Sequence, residues 1–506
     1  MKLLKSLLDL VCEAGFVFKK GSCGANSEAT TEGGELSYRE DIIAKPVTGT
    51  EDDLALSDTE VLPEYLLAKE LIEHKFPIIF ITGGAGTGKS TFIKWLEHEF
   101  YGSVLLAAPT GIAALNIRGK TLHSLCHLPP AWIGKGDIII TPKRKEIKEA
   151  KLLIIDEVSM VNANLLDGVS YFFRQNRGVD KPFGGLSVIF VGDMFQLPPV
   201  VDDSTWHMFE RHYGSAKFYK AKSLEKAEFY AIELKKTLRQ KDQEFIDLLT
   251  NIREGRELEY SLSVLNSRSN ITLSPPEGAV WLSPRKVEVN DRNIKKLAAI
   301  DLPTKSYIGT IEGKFNPEKL PTPKELLLKC SAQVMFTKND LERRWVNGSI
   351  GMIEQMTDDE IEVRLSPSEM LVKVGRERWE EYKYVWNHEK KEIQRRTVGS
   401  YIQFPLILAW SMTIHKSQGR SIERVHLDLG KGAFETGQTY VALSRCRSLP
   451  GLSMGRELGY DDILVDEESI KFYQHLRDRI EKLPPNEMIR ILATSKNRPS
   501  KGRLNI

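Results

Sequence analysis

The chain has 506 residues, of which 41% are hydrophobic and 28% charged, and a formal net charge of +2. That length excludes a mini-domain and supports two to four units with sizeable cores. The composition is that of a soluble globular protein, and no run of about twenty apolar residues is present to anchor it in a membrane. The near-neutral balance rules out arguing a nucleic-acid role from net charge, so any basic track must be local, and five scattered cysteines (Cys12, Cys23, Cys126, Cys330, Cys446) suit a reducing, cytoplasmic setting rather than a disulfide framework or a metal knuckle.

In chain order, residues 1–56 read as a short amphipathic start followed by a linker rich in Gly, Ser, Thr and Glu; Asp9 and Glu13 interrupt the apolar run that a signal peptide needs. A first α/β unit is expected over 57–230. Its helix runs to His74, and continuous apolar runs at Ile78 to Thr82, Val104 to Pro109, Leu152 to Asp156 and Val188 to Gly192 predict strands buried on both faces of a parallel sheet. Between Leu128 and Ala150, a Pro-Pro pair, the β-like Asp137-Ile-Ile-Ile-Thr and a charged run predict a small insertion. A second α/β unit is expected over 231–460, with short β-like segments (Gly351-Met-Ile-Glu, Glu360-Ile-Glu-Val-Arg) from Cys330 to Tyr401 predicting a β-barrel-like insertion. Residues 461–506 are expected to form one closing helix, Asp466 to Glu481, and a basic tail.

Chemistry concentrates where strands end. After Ile78 to Thr82 comes Gly83-Gly84-Ala85-Gly86-Thr87-Gly88-Lys89-Ser90-Thr91 and then a helix-like stretch. Glycines let backbone N–H groups converge on phosphate oxygens, a helix N-terminus adds its dipole, Lys89 adds a cation, and Ser90 is placed to hold Mg2+. Asp156-Glu157 ends another buried run. Asp156 suits the metal side and Glu157 suits a general base, because phosphoryl transfer needs charge neutralisation and an oriented water more than covalent chemistry. Gln196, in Gly192-Asp193-Met-Phe-Gln-Leu-Pro-Pro, could sense the terminal phosphate, though the segment alone could be a stiffened turn. Arg239 and Arg445, from the second unit, could stabilise charge on the transferring phosphate, or, taken singly, form surface salt bridges. For nucleic acid, Pro109, Thr110 and His123, with Thr413, His415, Lys416 and Ser417, form loops of hydroxyl, imidazole and backbone donors that suit a sugar-phosphate backbone; Phe195 and Trp132 could stack on bases or belong to the core.

Taken together and in this order, Gly-Gly-Ala-Gly-Thr-Gly-Lys-Ser-Thr, Ala-Pro-Thr-Gly-Ile-Ala-Ala-Leu-Asn, Ile-Asp-Glu-Val-Ser-Met, Gly-Asp-Met-Phe-Gln-Leu-Pro-Pro-Val, Val346-Asn-Gly-Ser, His-Lys-Ser-Gln-Gly and Tyr-Val-Ala-Leu-Ser-Arg-Cys make the chain resemble the Pif-one-like DNA helicases of superfamily 1B, relatives of RecD. The resemblance covers about Pro63 to Leu452. It implies two RecA-like P-loop domains with ATP and Mg2+ between them, single-stranded DNA across their top, 5′-to-3′ translocation, and unwinding of forked or structured DNA by a monomer in repair, replication or recombination. The insertion at 128–150 would then be a strand-splitting wedge, and the one within 330–401 an SH3-like barrel. The other reading left open is a DNA-stimulated ATPase that remodels nucleoprotein complexes as a subunit without unwinding alone. One departure stands out: Glu64-Tyr65-Leu66-Leu67 occupies the region where the family places an adenine-reading glutamine, which implies a looser nucleotide preference.

Overall fold

The computed structural model describes residues 61–141, 144–225, 227, 229–237, 242–269, 278–317, 320–342, 344–366, 368–482 and 487–488. The expected N-terminal segment and linker, the basic tail and Arg239 lie outside the described residues.

The first unit is built on a parallel sheet of β1 (Ile78–Thr82), β2 (Val104–Ala108), β3 (Lys120–Thr121), β4 (Leu152–Ile155), β5 (Ser187–Gly192) and β6 (Phe229–Glu233), in the order β3-β2-β4-β5-β1-β6. Because successive side chains point to opposite faces, each continuous apolar run feeds two cores. Ile79, Ile81, Leu106, Ile154, Ile189 and Val191 face the helices Pro63–Glu73 and Lys89–Glu99, packing on Leu71, Phe92 and Leu96. Phe80, Leu105, Leu153, Ile155, Val188 and Phe190 belong to the opposite cluster with Leu166, Val169 and Phe173 of the helix Ala163–Arg177. Each such fully buried Leu, Ile or Phe contributes roughly 1.5–3 kcal/mol. The expected break between units at 230/231 falls inside β6, which pairs with β1 from Ile78↔Phe229 to Thr82↔Glu233. An apolar five-residue strand completes the first sheet rather than opening the second.

The second unit carries a smaller parallel sheet of β7 (Val280–Ser283), β18 (Ser411–Thr413), β19 (Val425–Leu427) and β20 (Leu452–Met454), ordered β18-β7-β19-β20. Between β7 and β18 the chain leaves to form an antiparallel body. This comprises β8 (Lys305–Ile308), β9 (Thr310–Gly313), β10 (Glu325–Leu328), β11 (Gln333–Phe336), β12 (Ile350–Met356), β13 (Ile361–Ser366), β14 (Leu371–Val374), β15 (Glu377–Asn387), β16 (Glu392–Gln403) and β17 (Leu406–Leu408). Its sheets are β14-β13-β12-β11-β17, β15-β16-β9 and β10-β8. The insertion therefore begins at β8, earlier than the expected Cys330, because β9 and β10 pair within it, and it encloses its own core of Leu328, Val334, Phe336, Val363, Val374 and Phe404.

In the other insertion one detail departs from expectation and one open alternative is decided. Residues 138–141 form no strand: Ile139 and Ile140 are exposed, and the neighbouring backbone is held by a side chain, with Asn176 Oδ1 accepting from the Thr141 amide and Nδ2 donating to the Ile139 carbonyl. An apolar triplet without a partner strand leaves its ladder groups to other donors. Trp132 rests against Phe209, with ring centroids 5.1 Å apart, so it belongs to the packing of the helix Asp203–Tyr213. The closing helix runs Glu467–Lys482.

The β15–β16 hairpin reaches back to the first unit. The Tyr384 hydroxyl accepts from the Leu106 amide at 2.9 Å, the Ile393 amide donates to the Gly102 carbonyl at 2.6 Å, and Arg395 pairs with Glu97 at 2.7 Å.

Candidate functional site

Three loops at the carboxyl ends of neighbouring strands β1, β4 and β5 converge, as the switch point of an open α/β sheet requires. After β1 the chain turns through Gly86 (φ 81°) and Gly88 (φ 85°), left-handed conformations that favour glycine, into the helix Lys89–Glu99. A Cβ on Gly83 would lie 2.5 Å from Thr87 Oγ1 and 2.7 Å from the Leu234 carbonyl, so that turn also needs a bare backbone. Lys89 Nζ donates to the Gly83 and Gly84 carbonyls at 2.9 Å each, holding the loop as a ring around its own cation. Burial lowers the Lys89 pKa, with Asp193, Glu157 and Asp156 opposing that shift, which places all three carboxylates around one ammonium group.

After β4, Asp156 is buried and accepts from the Glu157 amide at 2.9 Å. Burial first, and then the charge of Glu157, raise its carboxyl to about 7. Glu157 itself holds φ 49°, ψ 44°, a left-handed conformation that costs a non-glycine residue about 1–2 kcal/mol and marks a position fixed by its surroundings. Ser90 is exposed at the mouth of the cradle on the first turn of its helix. An exposed hydroxyl at the cradle's mouth and a buried carboxylate, both hard oxygen donors, fit Mg2+.

After β5, Asp193 is wholly buried. Burial pushes its pKa up, but Arg253 and Lys89 pull it below the usual carboxylate range. Arg253 Nε donates to Asp193 Oδ1 at 3.0 Å, and its guanidinium lies 4.5 Å from the Phe195 ring centroid and 4.8 Å from that of Tyr473. Gln196, buried beside it, lies 3.5 Å from Asp193 Oδ2 and accepts from Gln418 of the second unit at 3.4 Å. The helix Gln438–Leu443 closes the cleft from the second unit: Gly437 has φ 72°, and a Cβ there would stand 2.3 Å from the Phe195 carbonyl. The Tyr440 hydroxyl accepts from the Ala85 amide and donates to Asp193 Oδ2, both at 2.9 Å. Arg445 follows, buried, with Nε donating to the Val441 carbonyl at 2.9 Å; burial lowers its pKa while Tyr440, Glu157 and Asp193 oppose.

The structure thus brings Lys89, Asp156, Glu157, Gln196 and Arg445 together. Among the residues expected to meet nucleic acid, Thr110 and Thr413 cap short helices, each Oγ1 accepting an amide at 3.2 Å, from Ala113 and Lys416 respectively. Pro109, Thr110, His123 and His415 are half-buried and Lys416 is exposed, beside Lys286 and Arg420, which lower the Lys416 pKa after burial has done so. That is the local basic cluster a net charge of +2 conceals. Two expected contacts are corrected. Phe195 is 5% exposed, sealed between Arg253 and Tyr473, so its ring has no face for a base. Ser417 is fully buried and its hydroxyl donates to the Ile414 carbonyl, so at most its backbone is available.

Local sequence assigns no role to Arg253, Tyr440, Asp193 or Gln418. A signal for the first was present: Phe245, Leu248, Leu249 and Ile252 are the apolar stripe of a helix, and Arg253 sits eight residues after Phe245, where the stripe calls for an apolar residue.

A family model described as PIF1-like helicase matches residues 65–261. The ATP-dependent DNA helicase Pif1 of Bdellovibrio bacteriovorus is 32% identical over 438 residues, covering 83% of this chain and 93% of that one. The ATP-dependent DNA helicase PIF1 of Emericella nidulans is 32% identical over 497 residues, and this chain spans only 64% of its length. A crystal structure of Bacteroides sp Pif1 in complex with ADP-AlF4 superposes with a TM-score of 0.78 at 32% identity, covering 83% of this chain and 98% of that one.

Proposed function

Because the chain belongs to the PIF1-like helicase family, a family of ATP-dependent DNA helicases, we propose that it hydrolyses ATP between its two α/β units and uses the resulting closure and opening to move 5′ to 3′ along single-stranded DNA, unwinding forked or structured duplexes. The observation that carries this reading is the meeting of the Lys89 loop, Asp156-Glu157 and Gln196 from one sheet with the Tyr440–Arg445 segment from the other. A phosphate chain lying there would touch both units at once.

In this reading the amides of residues 83–91 and Lys89 cradle the phosphates. Ser90 and Asp156 would hold Mg2+, which supplies charge neutralisation on the phosphate oxygens. Glu157, fixed by its backbone, accepts the proton of the attacking water. Gln196 orients that water or the terminal phosphate and reports it to Gln418, four residues beyond Ile414 in the loop after β18 that also carries His415 and Lys416. Arg445, joined by Arg239, spreads positive charge over the transferring group. Since one base pair is worth about 1.4 kcal/mol of stacking, one ATP per nucleotide step is ample. The domain division, a monomer as the working unit, and a cytoplasmic or nucleoid-associated location, which the free thiols of Cys126 and Cys446 suit, are part of the same proposal.

The test is ATPase activity with and without single-stranded oligonucleotide, together with strand displacement on forks of both polarities. Lys89→Ala should abolish hydrolysis and leave oligonucleotide binding. ATP turnover indifferent to single-stranded DNA would sink the proposal.

A further inference from the structure

The Tyr440 hydroxyl sits between two groups that belong to the first unit, although the side chain comes from the second. It accepts from the amide of Ala85, in the middle of the phosphate cradle, and donates to Asp193, both at 2.9 Å, and the residue is 4% exposed. Asp193 cannot drift from it. Its other oxygen is held by Arg253 and by the Phe195 amide at 3.2 Å, and Arg253 is fixed in turn by Tyr473, whose hydroxyl accepts from Nη1 at 3.3 Å. The result is a continuous chain of hydrogen bonds, Ala85 to Tyr440 to Asp193 to Arg253, that begins in the phosphate cradle and ends on the helix Gln243–Glu254 of the second unit. Gly84 also borders the hydroxyl, since a Cβ there would make van der Waals contact with it at 3.5 Å. Five residues beyond Tyr440 is Arg445, so whatever fixes the tyrosine against the cradle also fixes the approach of that guanidinium.

We propose that Tyr440 is a positioning residue: its hydroxyl, clamped by Asp193 and Arg253, registers the second unit against the phosphate cradle in the closed cleft, so that DNA engagement on one side accelerates hydrolysis on the other. This deepens the helicase reading and rests on it. The hydroxyl holds the cradle through a single amide and leaves the other loop amides to the nucleotide, so its loss impairs closure more than binding.

The experiment compares the parent with Tyr440→Phe, which keeps the ring and removes only the oxygen. Steady-state ATPase at saturating single-stranded DNA should show kcat reduced by about tenfold, the consequence of leaving a buried carboxylate and a half-buried amide each short of a partner, with KM for ATP within about threefold. The shift in oligonucleotide affinity on adding ADP-aluminium fluoride, measured by fluorescence anisotropy, should shrink in the variant. Amide hydrogen exchange gives a readout independent of turnover: in the nucleotide-free protein the 83–88 peptide should exchange faster in Tyr440→Phe, while β1 and β4 peptides stay as in the parent. Parent-like kcat with parent-like exchange at 83–88 would overturn the assignment, and so would a variant changed in KM alone, which would make the hydroxyl a nucleotide ligand. A parent unstimulated by DNA would instead refute the helicase reading itself.

Discussion

Replacing Arg253 by methionine tests the electrostatics of the cleft most directly. In the parent, Asp193 is wholly buried and Arg253 is 5% exposed, with Nε and Nη2 both 3.0 Å from Oδ1, so neither charge is screened by water. Removing one partner of such a pair costs about 3–5 kcal/mol, because the remaining charge stays buried, and the lost stacking on Phe195 and Tyr473 adds to it. The pH dependence follows from the sign of the shift. In the parent, Asp193 titrates below its unfolded value of about 3.9, so its contribution is present above that pH and lost only as pH falls through the lower folded value. In Arg253→Met, burial is opposed by Lys89 and the local hydrogen bonds without the guanidinium; the carboxyl rises, so the penalty is larger at high pH and shrinks as pH falls and Asp193 takes up a proton in the folded state. Urea unfolding of parent and variant at pH 8 and pH 5.5, followed by tryptophan fluorescence, measures both effects. A deficit under about 1 kcal/mol, or one of equal size at the two pH values, would refute the reasoning.

Three further expectations concern other parts of the molecule. Gly88→Ala places a Cβ at φ 85° and should cost about 1–2 kcal/mol of loop strain and weaken ADP binding severalfold by calorimetry; unchanged affinity would show that the turn tolerates it. Tyr384→Phe removes the acceptor of the buried Leu106 amide and should cost about 1–3 kcal/mol, seen as faster hydrogen exchange through β15 and β16, and parent-like exchange there would show that the hairpin is held by its other contacts. Tyr65, standing near the missing glutamine, is 1% exposed and packed on Phe92 and Trp95, so it offers no edge to a base. The kcat/KM for GTP should therefore approach that for ATP, within about tenfold, and a much larger preference for ATP would contradict this.

The parallel strands were readable because a strand buried on both faces must be apolar throughout, and β1, β2, β4 and β5 fall within a residue of their expected bounds. The end of the first sheet was not readable: Phe229–Glu233 is as apolar as a strand that opens a new unit, and only its pairing with β1 assigns it. The same holds for residues 137–141, whose β-like composition found no neighbour, and for the barrel, whose early strands β8 to β10 are short and partly exposed and so lack a continuous apolar run.

By itself, the sequence determined the phosphate cradle, the carboxylate pair and the order of loops along the chain, since glycine spacing and strand-end acids are local properties. Which side chains meet across the cleft was decided by tertiary structure alone. Arg253 lies 60 residues from Asp193 and Tyr440 lies 247 from it, and only the packing of two sheets against one another brings them within a hydrogen bond. The same packing withdrew Phe195 and Ser417 from the surface, because a buried cation needs a ring above it and a buried hydroxyl takes the nearest carbonyl.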